Sequence, residues 1–187
     1  MAPVALMTAE EFMGLPDDGI ERDLIRGELS EYPTSTRGGP HCLAMANVSL
    51  QLGLWRLQQL VPRGRVYVGD MRIRIQRDPD TFVGADIAYI RPEQAARIPQ
   101  SAAFLDESPA LLVEVLSPTD TIERLDEKLR ESIDAGVPLI LHVNPFDKTV
   151  LAYRPDAPPQ LFHTGQDLTA EPQLPGFRVP VADIFAL

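Results

Sequence analysis

One carboxylate, Glu114, interrupts the apolar segment 111–116, which reads LLVEVL and is closed by Ser117 and Pro118. A short run rich in Val and Leu with such an ending is typical of a buried strand. Because strand side chains alternate between faces, Glu114 shares its face with Leu112 and Leu116. A buried carboxylate is costly unless it meets a cation, a metal or hydrogen-bond donors. The segment therefore predicts a functional site, with an exposed strand end or a structural arginine partner as the alternative.

The composition limits what such a site can belong to. With 187 residues, of which 44% are hydrophobic, the chain can build one sizeable core and is short for two. We expect a single domain over residues 1–187. A formal net charge of -10 argues against a protein that binds nucleic acid through its overall field.

The cysteine count and the apolar runs bear on location. The single cysteine, Cys42, excludes an internal disulfide and a cysteine-based zinc cluster, which suits a reducing cytoplasm. No apolar stretch approaches the roughly 20 residues that cross a bilayer, and the N-terminus lacks a basic region followed by an apolar run. We expect a soluble cytoplasmic protein with no membrane partner.

The first third of the chain predicts a helix, a hairpin and a long helix. Thr8 is a candidate N-cap for a short helix. Segments 20–26 and 28–32 flank Gly27 and predict a β-hairpin. Residues 33–40 are rich in turn-forming types and predict a loop, after which a helix is expected over 41–60.

The long helix carries two apolar rows. The first, expected to face the sheet, consists of Leu43, Ala46, Leu50, Leu54, Leu57 and Val61; the second consists of Ala44, Val48, Leu52 and Trp55. A helix that is apolar on two sides needs two surfaces to pack against. We therefore expect a partner subunit, and so a homodimer.

The remaining elements alternate between strand and helix patterns. Strands are predicted over 65–75 (with a break near Gly69), 83–90, 111–116, 137–143 and 149–153. A helix is predicted over 120–135, with Ile122, Leu125, Leu129 and Ile133 as its buried stripe and Lys128 on its flank. The closing segment 181–187 is expected to dock on the core. This order predicts an α/β (α+β) fold in which a mixed sheet is flanked by helices.

The strand over 65–75 lies in the one strongly basic stretch of the chain. Its arginines include Arg63, Arg65, Arg72 and Arg74. They are candidate contacts to nucleic-acid phosphates, with a solvated strand face as the alternative.

The chain resembles the Uma-type restriction endonucleases, a branch of the PD-(D/E)XK nuclease superfamily. The resemblance is carried by GEL at 27–29, His41, ADI at 85–87, VEVLSP at 113–118, EKL at 127–129, AGVP at 135–138 and VNP at 143–145. It implies a restriction-endonuclease-like fold and a metal-dependent endonuclease acting on nucleic acid, with DNA as the expected substrate.

The resemblance also implies the site. Asp86 and Glu114 would bind Mg²⁺ or Mn²⁺, and Glu28 and His41 would lie at the same catalytic site. The superfamily's usual lysine two residues after the Glu is replaced by Leu116, and Lys128 would take its role. Removing Glu114 would then stabilise the metal-free protein by eliminating an unpaired acid. The competing hypothesis is a non-catalytic dimeric binding module that keeps the fold.

Overall fold

The computed structural model describes residues 6–33 and 37–187 and contains five helices and ten strands within them. The helices are α1 (Ala9–Met13), α2 (Gly39–Gln58), α3 (Pro92–Ala95), α4 (Ile122–Asp134) and α5 (Val181–Ile184). The strands are β1 (Ile20–Ile25), β2 (Glu28–Pro33), β3 (Arg65–Gln76), β4 (Thr81–Ile90), β5 (Leu111–Val115), β6 (Ile140–Asn144), β7 (Thr149–Arg154), β8 (Ala157–His163), β9 (Asp167–Thr169) and β10 (Arg178–Pro180).

Eight of these strands form one mixed sheet. Its order is β2-β1-β4-β5-β6-β7-β8, with β3 paired to β4, while β9 and β10 pair separately. Every neighbouring pair in the large sheet is antiparallel except β5 and β6, which are parallel. A parallel pair needs a crossover connection, and α4 provides it between β5 and β6. The expected mixed sheet flanked by helices is confirmed.

The sheet divides along one edge of β4. On that edge β4 pairs with β1 at Phe82 and with β5 at residues 87–89, and β3 pairs along its other edge. Residues 83–86 lie between these two pairings. We call residues 83–86 the fork. On this edge of β4 they are paired with neither β1 nor β5.

Helices α2 and α4 cover opposite faces of the sheet. Ala44, Val48, Leu52 and Trp55 of α2 pack in one core with Leu111, Val113 and Val115 of β5. Leu129 and Ile133 of α4 pack in another with Leu112 and Ile140. Alternate residues of β5 therefore enter different cores, and the predicted alternation that puts Glu114 on the face of Leu112 is correct.

The prediction for the two apolar rows of α2 was wrong in its orientation. The row containing Trp55 faces the sheet, whereas Leu50, Leu54 and Leu57 of the other row are exposed, as is Val61 beyond the helix. Both rows have helical spacing, so the sequence pattern could not decide between them. On the sheet side, Ala44 and Trp55 are buried. The Trp55 indole N–H donates a hydrogen bond to the Pro175 carbonyl.

The buried stripe of α4 also differs from the prediction. Ile122 is exposed at the start of the helix, and Glu131 and Ser132 are buried instead. Glu131 forms an ion pair with Arg26, in which Oε1 lies 2.9 Å from Nη2, and this contact joins α4 to the β1–β2 hairpin. The helix therefore packs on both the sheet and the hairpin, and its polar flank is part of that contact.

Other predicted elements agree with the structure. Thr8 caps α1 through a capping box with Glu11, and Gly27, at φ +80°, forms the hairpin turn. β3 has a register shift between Val68 and Met71, next to Gly69. Val181 and Ile184 of the C-terminal segment are buried in the core. Residues 34–36 of the predicted loop lie outside the described residues. No described helix has the length and apolarity needed to cross a membrane.

Candidate active site at the fork

Asp86 lies at the fork and is held there by the backbone of β5. Its side chain is buried, and its Oδ2 accepts a hydrogen bond of 2.7 Å from the Val115 amide. Its Oδ1 is approached by Arg37 Nη1 and His41 Nε2, each at 3.6 Å, which is beyond hydrogen-bond distance. One carboxylate oxygen is therefore fixed and the other faces polar neighbours without a close bond to them.

Register places Glu114 beside Asp86. The β4–β5 ladder pairs Ile87 with Val113. One residue further, Asp86 and Glu114 stand opposite each other, and opposite residues in an antiparallel pair project from the same face. The hydrogen bond from Val115 to Asp86 replaces the ladder at this point. Two carboxylates from different strands thus meet on the face that α4 covers.

Lys128 reaches the same point from α4. Its Nζ lies 2.7 Å from Glu114 Oε1, and the two side chains are 13% and 16% exposed. Thr121 fixes the start of α4 by accepting from the Arg124 amide, which sets Lys128 about two turns into the helix over β5. Helix α4 therefore places an ammonium beside the Glu114 carboxylate.

Burial dominates the protonation equilibria of these groups. Loss of solvation raises the pKa of Glu114 to about 7, although Lys128 opposes the shift, and it also raises the pKa of Asp86. Burial disfavours the Lys128 ammonium as well, but the Glu114 and Asp23 carboxylates outweigh it and raise the Lys128 pKa. Lys128 is therefore a cation at neutral pH. His142, opposite Glu114 on β6, has its pKa lowered by burial to about 4 and is neutral there.

A second charged group joins the hairpin to α4 beside the site. Arg124 lies 2.8 Å from Glu21 and 3.1 Å from buried Asp23, and its guanidinium stacks 3.9 Å from the centre of the Tyr32 ring. Sequence reasoning missed these residues. The signal that could have found them is the alternation of Glu21 and Asp23, which puts two acids on one face of β1.

The site opens into a larger cleft. A cavity of about 50 Å³ is lined by Asp86, Glu114, Lys128 and His41. A neighbouring cleft of about 500 Å³ extends between the hairpin and β3, and both are bordered by Glu21, Arg37, Asp70 and Arg124. Arg37 forms an ion pair with Asp70 at this border. Of these two cavities, the inner one suits an ion with a few waters, and the outer one has room for a nucleotide-sized group.

The structure brings four of the five predicted catalytic residues to this cavity and leaves one outside its lining. Asp86, Glu114, Lys128 and His41 line it. Glu28 is exposed at the hairpin turn, where it pairs with Ile25. The carboxylates that the hairpin does bring to the site are Glu21 and Asp23.

Three of the four predicted phosphate contacts are engaged by other protein groups. Arg72 lines the outer cleft. Arg63 donates to the Gln59 carbonyl, Arg65 donates to the Ile98 carbonyl, and Arg74 is bound by Asp106. Of the four, Arg72 is the one placed beside the site.

The donor set fits a divalent ion that takes few protein ligands. Among the described residues, no group of three His, Cys, Asp or Glu side chains is arranged to hold a metal ion. Mg²⁺ is commonly bound through one or two carboxylates and keeps several waters. Asp86, whose Oδ1 has no close hydrogen bond to the described part of the chain, and Glu114 are the residues that could hold it. A nearby cation also stabilises the charged form of buried acids whose pKa values are raised by burial.

Comparisons with known proteins identify a family and a similar fold. The sequence model of the family Uma2, described as "Putative restriction endonuclease", matches residues 9–182. A solved structure, described as a putative nuclease belonging to DUF820 from Anabaena variabilis ATCC 29413, has a TM-score of 0.79 at 18% identity and covers 98% of each chain. That identity establishes a shared fold and no more. No curated protein matches the chain.

Proposed function

The chain belongs to the Uma2 family, and from that premise we propose that it is a metal-dependent nuclease that hydrolyses phosphodiester bonds of nucleic acid, with DNA as substrate. The observation that carries this proposal is the meeting of Asp86, Glu114 and Lys128 at the fork, in one cavity that opens into a nucleotide-sized cleft. We further propose a cytoplasmic location, which the single cysteine favours.

The two carboxylates would hold Mg²⁺ or Mn²⁺. When bound, such an ion lowers the pKa of a water and neutralises charge on the scissile phosphate. The backbone amide of Val115 keeps Asp86 Oδ2 in place, so that Oδ1 is directed at the cavity. Glu114 would be recruited from its ion pair with Lys128, since a divalent cation competes for the same oxygens.

Lys128 would act as a cation and not as a base. Its raised pKa keeps the ammonium protonated at neutral pH, so it cannot accept a proton from water. A buried ammonium beside a scissile phosphate would stabilise the negative charge that develops there. Alternatively, it would orient the attacking water by donating a hydrogen bond to the water oxygen. Its position on α4 compensates for Leu116.

Phosphate positioning would fall to Arg72 and Arg37. Both line the outer cleft. Arg72 also lies 4.9 Å from the centre of the Phe12 ring, which fixes its orientation. Contacts of this type hold the backbone without reading bases, so binding would depend on salt and little on sequence.

A non-catalytic binding module remains the second candidate, and one observation favours it. Glu114 and Lys128 satisfy each other at 2.7 Å without a metal ion. A site that has lost its reaction could keep such a pair as a structural contact. The two candidates differ in whether a divalent ion binds at the fork.

Cleavage of DNA tests the proposal. The wild-type protein should convert supercoiled plasmid to open-circular and linear forms with Mn²⁺ or Mg²⁺ and not with EDTA. Glu114→Ala should abolish this conversion, because one of two carboxylate ligands is lost. A circular-dichroism spectrum would establish that the variant is folded. Cleavage by Glu114→Ala at the wild-type rate would refute the proposed site and favour the binding module.

We also propose that the protein is a homodimer that associates through the exposed row of α2. Leu50, Leu54 and Leu57 are 57%, 47% and 58% exposed, and Leu60 and Val61 beyond the helix are 90% and 77% exposed. The helix has one charged residue, Arg56, in a chain of net charge -10. Two acidic chains repel each other least across such a face. Contiguous exposed apolar surface of this kind marks association sites.

Sedimentation tests the dimer. The wild-type protein should sediment as a dimer at micromolar concentration, and the Leu50→Glu/Leu57→Glu variant as a monomer, because two charges would have to be buried. Leu161→Glu on β8, whose leucine is also 57% exposed, is the matched control and should leave the dimer intact. A wild-type monomer would rule this association out.

A further inference from the structure

His41 is buried beside Asp86 with no bond of its own. The residue is 2% exposed, and its Nε2 lies 3.6 Å from Asp86 Oδ1. Neither ring nitrogen has a hydrogen-bond partner within residues 6–33 and 37–187. A buried polar group without a partner costs about 1 to 3 kcal/mol, so folded proteins keep few of them.

The position of His41 is set by rigid structure. It lies in the first turn of α2, after Pro40, and α2 is fixed on the sheet by the buried residues Ala44 and Val48. The ring therefore lines the cavity at the fork together with Asp86 and Glu114. Nε2 and Asp86 Oδ1 are two possible metal-ligand atoms that face the same cavity, and neither has a hydrogen bond to the residues that the structure describes.

Arg37 does not remove this freedom. Its Nη1 approaches Asp86 Oδ1 only to 3.6 Å, and its Nη2 is paired with Asp70. Neighbouring donor atoms on a six-coordinate ion lie about 3 Å apart. A movement of about half an ångström would thus bring Nε2 and Oδ1 onto one ion.

We propose that His41 Nε2 is a ligand of the divalent ion that Asp86 binds, and that the site therefore takes Mn²⁺ or Co²⁺ in preference to Mg²⁺. This inference rests on the proposed function for the presence of the ion. Mg²⁺ is hard and takes oxygen ligands, whereas imidazole is a better ligand for first-row transition ions, among which the Irving–Williams order ranks Co²⁺ above Mn²⁺. The imidazole would add a nitrogen ligand beside Asp86 and so raise selectivity without adding negative charge.

A positioning role is the competing explanation. His41 could instead orient the Asp86 carboxylate and never touch the ion. The two roles differ in whether nitrogen is bonded to the metal, and this can be measured without substrate and without turnover.

The first experiment uses Mn²⁺ bound to the wild-type protein with no nucleic acid. Pulsed electron paramagnetic resonance should detect hyperfine coupling from one directly bonded imidazole ¹⁴N. Protein labelled with ¹⁵N-histidine should change that coupling to the ¹⁵N pattern. Bound Mn²⁺ without nitrogen coupling would overturn the inference, and so would an absence of Mn²⁺ binding. The result does not depend on any variant being folded.

The second experiment compares affinities. His41→Leu removes both nitrogens without leaving a buried polar group, and it should weaken Mn²⁺ binding at least about tenfold while changing Mg²⁺ binding less. His163→Leu is the matched control, since His163 is exposed at the end of β8 away from the fork. Equal Mn²⁺ affinity in His41→Leu and the wild type would overturn the inference.

The outcomes separate this inference from the proposed function. Nitrogen-coupled Mn²⁺ in a protein that cleaves no nucleic acid would leave the ligand assignment standing and refute the nuclease. Metal-dependent cleavage by a protein whose bound Mn²⁺ has no nitrogen coupling would support the nuclease and refute His41 as a ligand.

Discussion

Replacing Lys128 with methionine should lower the free energy of unfolding by about 3 kcal/mol or more. Lys128 and Glu114 form an ion pair at 2.7 Å with little solvent contact, and the variant would leave Glu114 buried beside Asp86 with its cation removed. Without Lys128 the buried Glu114 carboxyl must either stay charged without a partner or take up a proton, and either cost adds to the loss of the bond itself. Urea unfolding at neutral pH with EDTA measures the change.

The double variant Glu114→Gln/Lys128→Met should recover most of that loss, because it removes both charges together. Arg130→Met is the matched control. Arg130 pairs with Asp126 on the same helix, but both side chains are largely exposed, and such a pair contributes about 1 kcal/mol or less. If Lys128→Met costs no more than Arg130→Met, the pair does not have the buried character that the structure gives it.

This expectation replaces the one drawn from the sequence for Glu114→Ala. An unpaired acid in an apolar strand would be destabilising, and its removal would help the metal-free protein. In the structure Glu114 is paired with Lys128, so its removal leaves a buried ammonium and should destabilise. The flank position of Lys128 on α4 could be read from the sequence. The docking of that flank against β5 depends on packing that the local pattern does not contain.

Local patterns identified most of the elements and failed where distant parts meet. The strand around Glu114, the hairpin turn at Gly27 and the cap at Thr8 follow from short-range chemistry that one segment contains. The orientation of α2 depends on which of two equally spaced rows matches the sheet. The fork depends on β4 pairing with β1 and β5 in one register, which no single segment specifies.

The site was therefore predicted in its parts and incompletely as an assembly. Asp86 and Glu114 stand out because each is the lone acid in an apolar strand pattern, whereas the role of Lys128 was implied by the family resemblance alone. Glu21 and Asp23 look like ordinary charges of a surface hairpin, and only the approach of Arg124 from α4 makes them part of the site. The arginines near β3 looked like one basic surface. Their partners, such as Asp106 and the Ile98 carbonyl, are far from them in sequence, so the contacts that engage these arginines could not be foreseen.

Replacing Asp86 with asparagine should reduce metal-dependent cleavage at least about 100-fold while leaving the fold intact, since even indirect losses around a metal ligand cost 10- to 100-fold. The asparagine carbonyl can still accept the hydrogen bond that Asp86 Oδ2 takes from the Val115 amide. The charge that would hold the ion is lost, and with it a buried acid whose pKa is raised. Thermal stability without metal should therefore be equal to or above that of the wild type.

Asp70→Asn is the control for this change, because it makes the same substitution at the border of the same cleft. Asp70 is 53% exposed and its carboxylate is engaged by Arg37, and the proposed function gives it no role as a metal ligand. Its cleavage rate should stay within a few-fold of the wild type. Calorimetry with Mn²⁺ separates the cause: Asp86→Asn should weaken binding of the ion, and Asp70→Asn should not. If Asp86→Asn binds Mn²⁺ normally and still loses activity, then Asp86 acts on the water or the phosphate directly, and the ion must be held by Glu114 and other groups.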